Sequence, residues 1–103
     1  MPATIDTPSV GEFVESSTDS DASLDLPWLV VVYDDPVNTM GFVTMVFEKV
    51  LSLSRAEAER KMWEVHNKGR SIVWQGSREP AEVILQQLHL YGLQARLERA
   101  GEG

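Results

Sequence analysis

The stretch Trp28-Leu-Val-Val-Val-Tyr-Asp-Asp-Pro-Val-Asn-Thr-Met40 constrains how the rest of the chain can fold. Its first half is rich in β-branched and aromatic residues, which predicts a buried β-strand over 28–33. The Asp, Pro and Asn residues that follow favour a turn, because their side chains or fixed backbone angles suit one. Asn38 or Thr39 can then cap a helix. A strand, a turn and a helix start are therefore expected in immediate succession.

Two helices are expected after this stretch. Apolar residues recur at helical spacing from Phe42 to Leu51, which predicts the first. The sequence Ser54-Arg-Ala-Glu57 has the pattern of a capping box and predicts the start of the second, which Gly69 can end in the left-handed conformation. Its expected apolar face consists of Ala58, Met62 and Val65, with Trp63 as a candidate to extend it.

The C-terminal part predicts a strand, a helix and a strand. Residues 71–75 are typical of a strand, Ser77 is the expected N-cap of a third helix, and the alternation over 93–98 predicts a final strand. The apolar side of the third helix is expected to contain Val83, Ile84, Leu85, Leu88 and Leu90. The order β-α-α-β-α-β indicates an α+β fold, a three-stranded sheet with three helices packed on it.

Composition excludes several classes of function. The 103 residues include no Cys and two His, so disulfides, thiolate metal sites and thiol nucleophiles are excluded and no metal or cofactor is expected. The net charge of −7 argues against binding to nucleic acid or anionic membranes. No apolar run approaches the roughly 20 residues of a membrane span, and no secretory signal opens the chain. A cytoplasmic protein is expected.

The negative charge is concentrated near the start of the chain. Six acidic residues and no Lys or Arg precede Pro27, whereas ten acidic and nine basic residues follow it. Residues 1–25 are therefore predicted to form a disordered acidic extension, and 26–103 a single folded domain. The extension is either a solubilising tail or a flexible arm that a partner engages.

Three features of the folded part can carry chemistry. Asp34-Asp35 can act as acid and base, as metal ligands or as acceptors for a cation, but Asp is also common in turns for local hydrogen bonding. His66 lies near a helix end, where it either complements the helix dipole or contacts a ligand. Met40, Met45 and Met62 are either core filler or the walls of an adaptable pocket.

Together these features predict a pocket for a ligand with one positive end and one large apolar group. A small hydrolase that uses Asp34, Asp35 and His66 is disfavoured, because no nucleophile–base pair, phosphate loop or metal-ligand spacing is evident. No catalytic residue is therefore assigned. His89 is interpreted as a surface group of the third helix.

The sequences Val-Tyr-Asp34-Asp35-Pro-Val-Asn-Thr-Met40-Gly-Phe-Val43 and Met62-Trp-Glu-Val65-His66-Asn-Lys-Gly69 resemble the ClpS adaptor family, in the form of its actinobacterial branch. The resemblance covers about residues 28–98. It implies an adaptor of the bacterial N-end rule pathway that recognises substrates with N-terminal Leu, Phe, Tyr or Trp. Such adaptors deliver substrates to a Clp AAA+ unfoldase, ClpA or ClpC, which feeds the ClpP protease, and they are not enzymes.

The resemblance also implies a role for individual residues. Asp34, Asp35 and His66 match the groups that contact the α-amino group of the substrate. Met40 matches the residue at the pocket mouth that excludes β-branched side chains. Glu79 matches a surface that docks on the N-terminal domain of the unfoldase. The apolar pocket walls are matched by Val43, Met62, Val65 and Leu93.

The sequence departs from the family pattern in the binding turn. Tyr33 stands where many members have an Asn that bonds the amino group, and the turn is one residue longer. Asn38 lies in the longer turn and is the candidate for the missing amide. Ile84 stands where some members have Lys, which favours ClpC as the unfoldase. The altered turn also supports an alternative function, a modulator that binds a Clp unfoldase without recognising degrons.

Overall fold

The computed structural model describes residues 26–101 and confirms the predicted order of elements. Three α-helices and a three-stranded antiparallel sheet form an α+β fold. The elements are β1 (Trp28–Tyr33), α1 (Met40–Leu51), α2 (Arg55–Lys68), β2 (Arg70–Gly76), α3 (Arg78–Leu90) and β3 (Gln94–Arg99). The predicted extension over 1–25 and the last two residues of the predicted domain lie outside the described residues.

Strand β1 is the centre of the sheet, with the strand order β2-β1-β3 and antiparallel pairing on both sides. Its valines Val30, Val31 and Val32 are completely or almost completely buried, as expected of a central strand that neighbours cover on every side. The pairing with β2 shifts register between Val30 and Val31. Val73 is the extra residue of this bulge, and its side chain is buried in the core.

The core lies between the helices and one face of the sheet. Phe47 of α1 and Leu88 of α3 are the largest fully buried side chains among residues 26–101. Ala58 and Ala81 are fully buried as well, and their small side chains allow α2 and α3 to pack closely on their neighbours. No helix among residues 26–101 is long and apolar enough to cross a membrane.

Local capping explains where the helices begin and end. The hydroxyl of Thr39 accepts a hydrogen bond from the backbone N–H of Phe42, 3.1 Å away, and caps α1. Ser54 and Glu57 form both bonds of the predicted capping box at α2. Gly69 ends α2 with a φ of 87°, which an L side chain rarely adopts. Ser77 occupies the N-cap position of α3, but its side chain makes no capping bond.

Three residues predicted on apolar helix faces face away from the core. Trp63 is 47% exposed, Val83 54% and Leu90 82%. Val83 and Leu90 each follow a buried residue of α3 by two positions, and a helix turns about 200° over two residues. They therefore lie opposite the buried stripe, whereas the predicted Leu88 is buried and Ile84 and Leu85 pack against the core. His89 is exposed as expected, and its Nε2 lies 2.8 Å from the carbonyl oxygen of Ala95.

Candidate functional site

A cavity of about 370 Å³ opens where β1 ends, between the following loop, α1, α2 and the start of β3. Its lining includes all nine residues that the sequence analysis assigned to substrate binding. These nine residues are Asp34, Asp35, Asn38, Met40, Val43, Met62, Val65, His66 and Leu93. The fold thus brings together residues that are up to 59 positions apart in the chain. Glu79 lies elsewhere, exposed in the first turn of α3.

Asp35 organises the loop between β1 and α1. Its Oδ1 accepts hydrogen bonds from the backbone N–H groups of Val37 at 2.8 Å and Asn38 at 3.1 Å. Its Oδ2 accepts a further bond from the side-chain amide of Asn38 at 3.2 Å. This is the local hydrogen bonding that makes Asp common in turns. Much of the acceptor capacity of Asp35 is therefore used within the loop.

Asp34 is held by its backbone rather than by its side chain. Its backbone N–H donates to the carbonyl oxygen of Gly69 at 3.0 Å, which joins the end of β1 to the end of α2. No donor among residues 26–101 contacts its carboxylate, and the residue is exposed at the cavity. Its carboxylate oxygens are consequently available to a donor from outside the chain.

The side chain of Asn38 links the loop between β1 and α1 to the segment before β3. Its Nδ2 donates to Asp35 and also to the carbonyl oxygen of Gly92 at 3.1 Å. Because both partners are acceptors, they fix which side-chain atom of Asn38 is the nitrogen. The oxygen of this amide has no donor within the described part of the chain and can accept a bond from a ligand.

His66 lies in the last turn of α2 and is exposed at the cavity. Its ring and the ring of Trp63 make a T-shaped contact, with 5.8 Å between the centroids. Its ring nitrogens make no hydrogen bond with residues 26–101. The polar side of the cavity therefore offers three groups that no hydrogen-bonding partner within residues 26–101 occupies: the carboxylate of Asp34, the amide oxygen of Asn38 and the imidazole of His66.

The apolar side of the cavity has a deep part and a mouth. Met62, Val65 and Leu93 are buried, and Val43 is partly buried. Met40, the first residue of α1, is 43% exposed. An apolar side chain can therefore enter past Met40 while a cationic group attached to it stays at the polar side. Met45 packs against the core without lining the cavity, so the methionine set is divided between two roles.

Four further lining residues were not assigned to the pocket from the sequence: Val32, Tyr33, Pro36 and Thr39. The alternation of β1 was a signal for Val32, because Val30 and Val32 share the face that the helices cover. Thr39 was expected only as a helix cap. Their backbone positions next to the predicted residues bring these side chains into the lining.

Tyr33 is part of a charged cluster on the sheet face opposite the helices. Its hydroxyl donates to Glu98, and this hydrogen bond, with partial burial, raises the pKa of Tyr33. The guanidinium groups of Arg70 and Arg96, from the two neighbouring strands, each lie 5.6 Å from the centroid of its ring. The phenol is thus bonded to β3, and Tyr33 is also among the residues that line the cavity. Among residues 26–101 no group of three or more His, Asp or Glu side chains is arranged to hold a metal ion.

Comparison with known proteins shows what this chain is similar to. The model of the family "ATP-dependent Clp protease adaptor protein ClpS" matches residues 24–96. The ClpS adapter protein of Mycobacterium marinum is 45% identical over 91 residues, which are 88% of this chain and 87% of that protein. The ClpS of Corynebacterium efficiens is 40% identical over 94 residues, 91% of this chain and 93% of that protein.

A solved structure shares the fold. Agrobacterium tumefaciens ClpS2 bound to L-phenylalaninamide superposes with a TM-score of 0.67 at 25% sequence identity. The match covers 73% of this chain and 98% of that one. The ligand of that protein is an amino acid amide with a free α-amino group and a large apolar side chain.

Proposed function

The chain belongs to the ClpS family of ATP-dependent Clp protease adaptor proteins, and from that membership we propose that it is an N-degron adaptor. In this proposal the 370 Å³ cavity binds proteins whose first residue is Leu, Phe, Tyr or Trp. The adaptor delivers them to the N-terminal domain of a Clp AAA+ unfoldase, ClpC or ClpA, for degradation by ClpP. The protein works in the cytoplasm and catalyses no reaction itself.

One observation carries the proposal: a single cavity combines free acceptors on one side with a buried apolar wall on the other. The carboxylate of Asp34 and the amide oxygen of Asn38 suit an α-ammonium group, and His66 stands beside them. Met62, Val65 and Leu93 suit the side chain that the same residue carries. The phenylalaninamide bound to the similar A. tumefaciens ClpS2 has these two parts.

The energetics require both parts of the ligand. A hydrogen bond to a charged group contributes about 1.5–3 kcal/mol, and burial of a Leu or Phe side chain contributes about 1.5–3 kcal/mol. Association also costs several kcal/mol in lost freedom. Neither contribution alone offsets that cost. A free amine without a large side chain and a large side chain without a free amine are therefore both expected to bind poorly.

A titration with four labelled peptides tests the proposal. The peptides are identical except for their first residue, which is Leu, Phe, Val or N-acetyl-Leu. Leu and Phe are expected to bind. Acetyl-Leu is expected to lose about 10- to 100-fold in affinity, because it cannot donate charge-assisted bonds. Val is expected to be weaker than Leu, because its branched Cβ meets Met40 at the mouth of the cavity.

The same titration separates the alternatives. Equal affinities for all four peptides, or binding by none, would overturn the proposed degron recognition. If the protein binds a Clp unfoldase but shows no preference for the first residue of a peptide, it is instead a modulator of the unfoldase. The altered turn between Tyr33 and Asn38 supports that alternative. Docking through Glu79 is tested separately, since Glu79→Lys is expected to weaken binding to the unfoldase and to leave peptide affinity unchanged, as this residue is remote from the cavity.

A further inference from the structure

A second cavity, of about 320 Å³, adjoins the first and shares Tyr33, Asp34 and Asp35 with it. The rest of its lining comes from the start of β3: Gln94, Ala95 and Arg96. Tyr33 and Gln94 are paired across the sheet as the last residue of β1 and the first of β3. The second cavity therefore begins at the polar wall of the first cavity, where β1 ends and the loop to α1 begins.

Arg96 brings a positive charge to the lining of this second cavity. It is exposed, its guanidinium lies beside the ring of Tyr33, and it forms no ion pair with residues 26–101. The carboxylate on the same face of β3, Glu98, is already engaged by the hydroxyl of Tyr33 and by Arg70 at 3.1 Å. The side-chain amide of Gln94 likewise has no partner in the described chain. Two donors thus border the cavity.

Both Asp residues of the shared wall are already engaged once a substrate is bound. Asp35 keeps its negative charge, but its oxygens face three N–H groups of the loop, whose dipoles partly offset that charge. Asp34 is the acceptor for the α-ammonium group under the proposed function. Its charge is then balanced by the ammonium group of the substrate, whereas Arg96 forms no ion pair with any residue of 26–101.

Resting on the proposed function, we propose that the second cavity receives the side chain of the second substrate residue and that Arg96 makes it favour Glu or Asp. Consecutive Cα atoms lie about 3.8 Å apart, so the second residue must lie close to the ammonium-binding wall. That wall is the one both cavities share. A carboxylate placed there meets the guanidinium of Arg96 and the amide of Gln94.

Peptides that begin Leu-Glu, Leu-Gln and Leu-Lys, and are otherwise identical, test the proposal. Leu-Glu is expected to bind about two- to fivefold more tightly than Leu-Gln, as is typical of a solvent-exposed ion pair, and Leu-Lys is expected to bind most weakly. The preference for Glu should largely disappear in about 1 M salt, where the screening length is about 3 Å.

Variants of Arg96 assign the preference to the second cavity. Arg96→Gln is expected to make Leu-Glu and Leu-Gln equivalent, and Arg96→Glu to favour Leu-Lys instead. Arg55→Gln is the matched control, since it removes the same charge from an exposed site on α2 that lines neither cavity. This control is expected to retain the preference for Leu-Glu.

The outcomes distinguish this inference from the function on which it rests. If Leu-Glu binds no better than Leu-Gln, or if the preference persists in Arg96→Gln, the second cavity does not select the second residue. The proposed function stands in that case, provided that acetylation of Leu-Gln still abolishes binding. If acetylated and free Leu-Gln bind equally, the proposed function and this inference are both wrong.

Discussion

Asn38 donates from its side-chain nitrogen to the carbonyl oxygen of Gly92, 3.1 Å away and 54 residues later in the chain. This bond joins the loop between β1 and α1 to the segment that precedes β3. With the bond to Asp35 it holds Asn38 so that its amide oxygen is left for a ligand. The residue thus fastens the loop and remains an acceptor at the same time.

The first prediction follows from this double role. Asn38→Ala removes two side-chain hydrogen bonds and is expected to lower the free energy of unfolding by about 1–2 kcal/mol. Affinity for a Leu-led peptide should fall as well, because both the loop and one acceptor are disturbed. Denaturant unfolding and peptide titration measure the two effects. Val37→Ala is the control, since the side chain of Val37 is almost fully exposed, and an unchanged Asn38→Ala would contradict the prediction.

Of the two adjacent aspartates, Asp34 is expected to affect peptide affinity and Asp35 to affect the free energy of unfolding. Asp34→Asn should reduce the affinity for a Leu-led peptide about 10- to 100-fold, as expected when a hydrogen bond between charged groups is lost. Its unfolding free energy should stay within about 0.5 kcal/mol of the wild type, since no residue in 26–101 bonds its carboxylate.

Asp35→Asn is the comparison for Asp34→Asn. It weakens the acceptors on which the loop depends, so the free energy of unfolding should fall by about 1 kcal/mol. Parallel unfolding and binding curves for the two variants give the answer. A large loss of stability in Asp34→Asn, with none in Asp35→Asn, would reverse the assignment.

Met40 is expected to control which side chains enter the cavity. Met40→Ala widens the mouth and should raise the affinity for a Val-led peptide relative to a Leu-led one by about tenfold, comparable to the effect of one or two methyl groups. Met45→Ala is the matched control, because this methionine of the same helix packs against the core without lining the cavity. If the Val-to-Leu ratio shifts equally in both variants, Met40 is not the residue that excludes β-branched side chains.

The stability in acid is expected to depend on Glu64. The buried hydroxyl of Ser71 donates to this carboxylate and lowers its pKa below the ordinary value of 4.5. A carboxyl group with a lowered pKa in the folded state stabilises the fold above its unfolded pKa, and this contribution is lost as the pH falls through the folded value.

The variant Ser71→Ala tests that dependence. The difference in unfolding free energy between wild type and variant should be constant above about pH 5 and should shrink as the pH falls below about 4.5. Thermal unfolding at a series of pH values measures it, with Ser54→Ala as a control that removes a hydroxyl at the start of α2. A difference that grows as the pH falls would show that the sign is wrong.

Much of the fold was predictable because its signals are local. The valine-rich strand, the hydroxyl of Thr39 and the capping box at Ser54 all act within a few residues, and the structure confirms each of them. The family prediction is also confirmed, because the motif around Asp34 and His66 is specific. Val83 and Leu90 were placed wrongly, since hydrophobicity alone does not say which of several apolar residues the tertiary contacts cover.

Most of the residues that line the cavity were predictable from the sequence, but the hydrogen bonds among them were not. The sequence indicates that polar and apolar residues serve one ligand, and all nine lie in one lining. Asp35 accepts hydrogen bonds within the loop, whereas Asp34 is bonded to the rest of residues 26–101 only through its backbone N–H. This difference depends on the conformation of the loop, which no local sequence pattern specifies. The bond from Asn38 to Gly92 joins segments that no local pattern relates. The binding roles of these residues stay predictions until peptides are titrated.

The bond from Asp34 to Gly69 has a consequence for the stability of the ligand-bound protein. Because the cavity needs the ends of β1, α2 and the loop before β3 together, its ligand can bind only the folded domain. Such a ligand adds to the stability of the fold by mass action, about 2.7 kcal/mol at a concentration 100 times its Kd. We therefore expect a cargo-bearing adaptor to have a higher free energy of unfolding than an empty one, so that the cargo stabilises its own carrier.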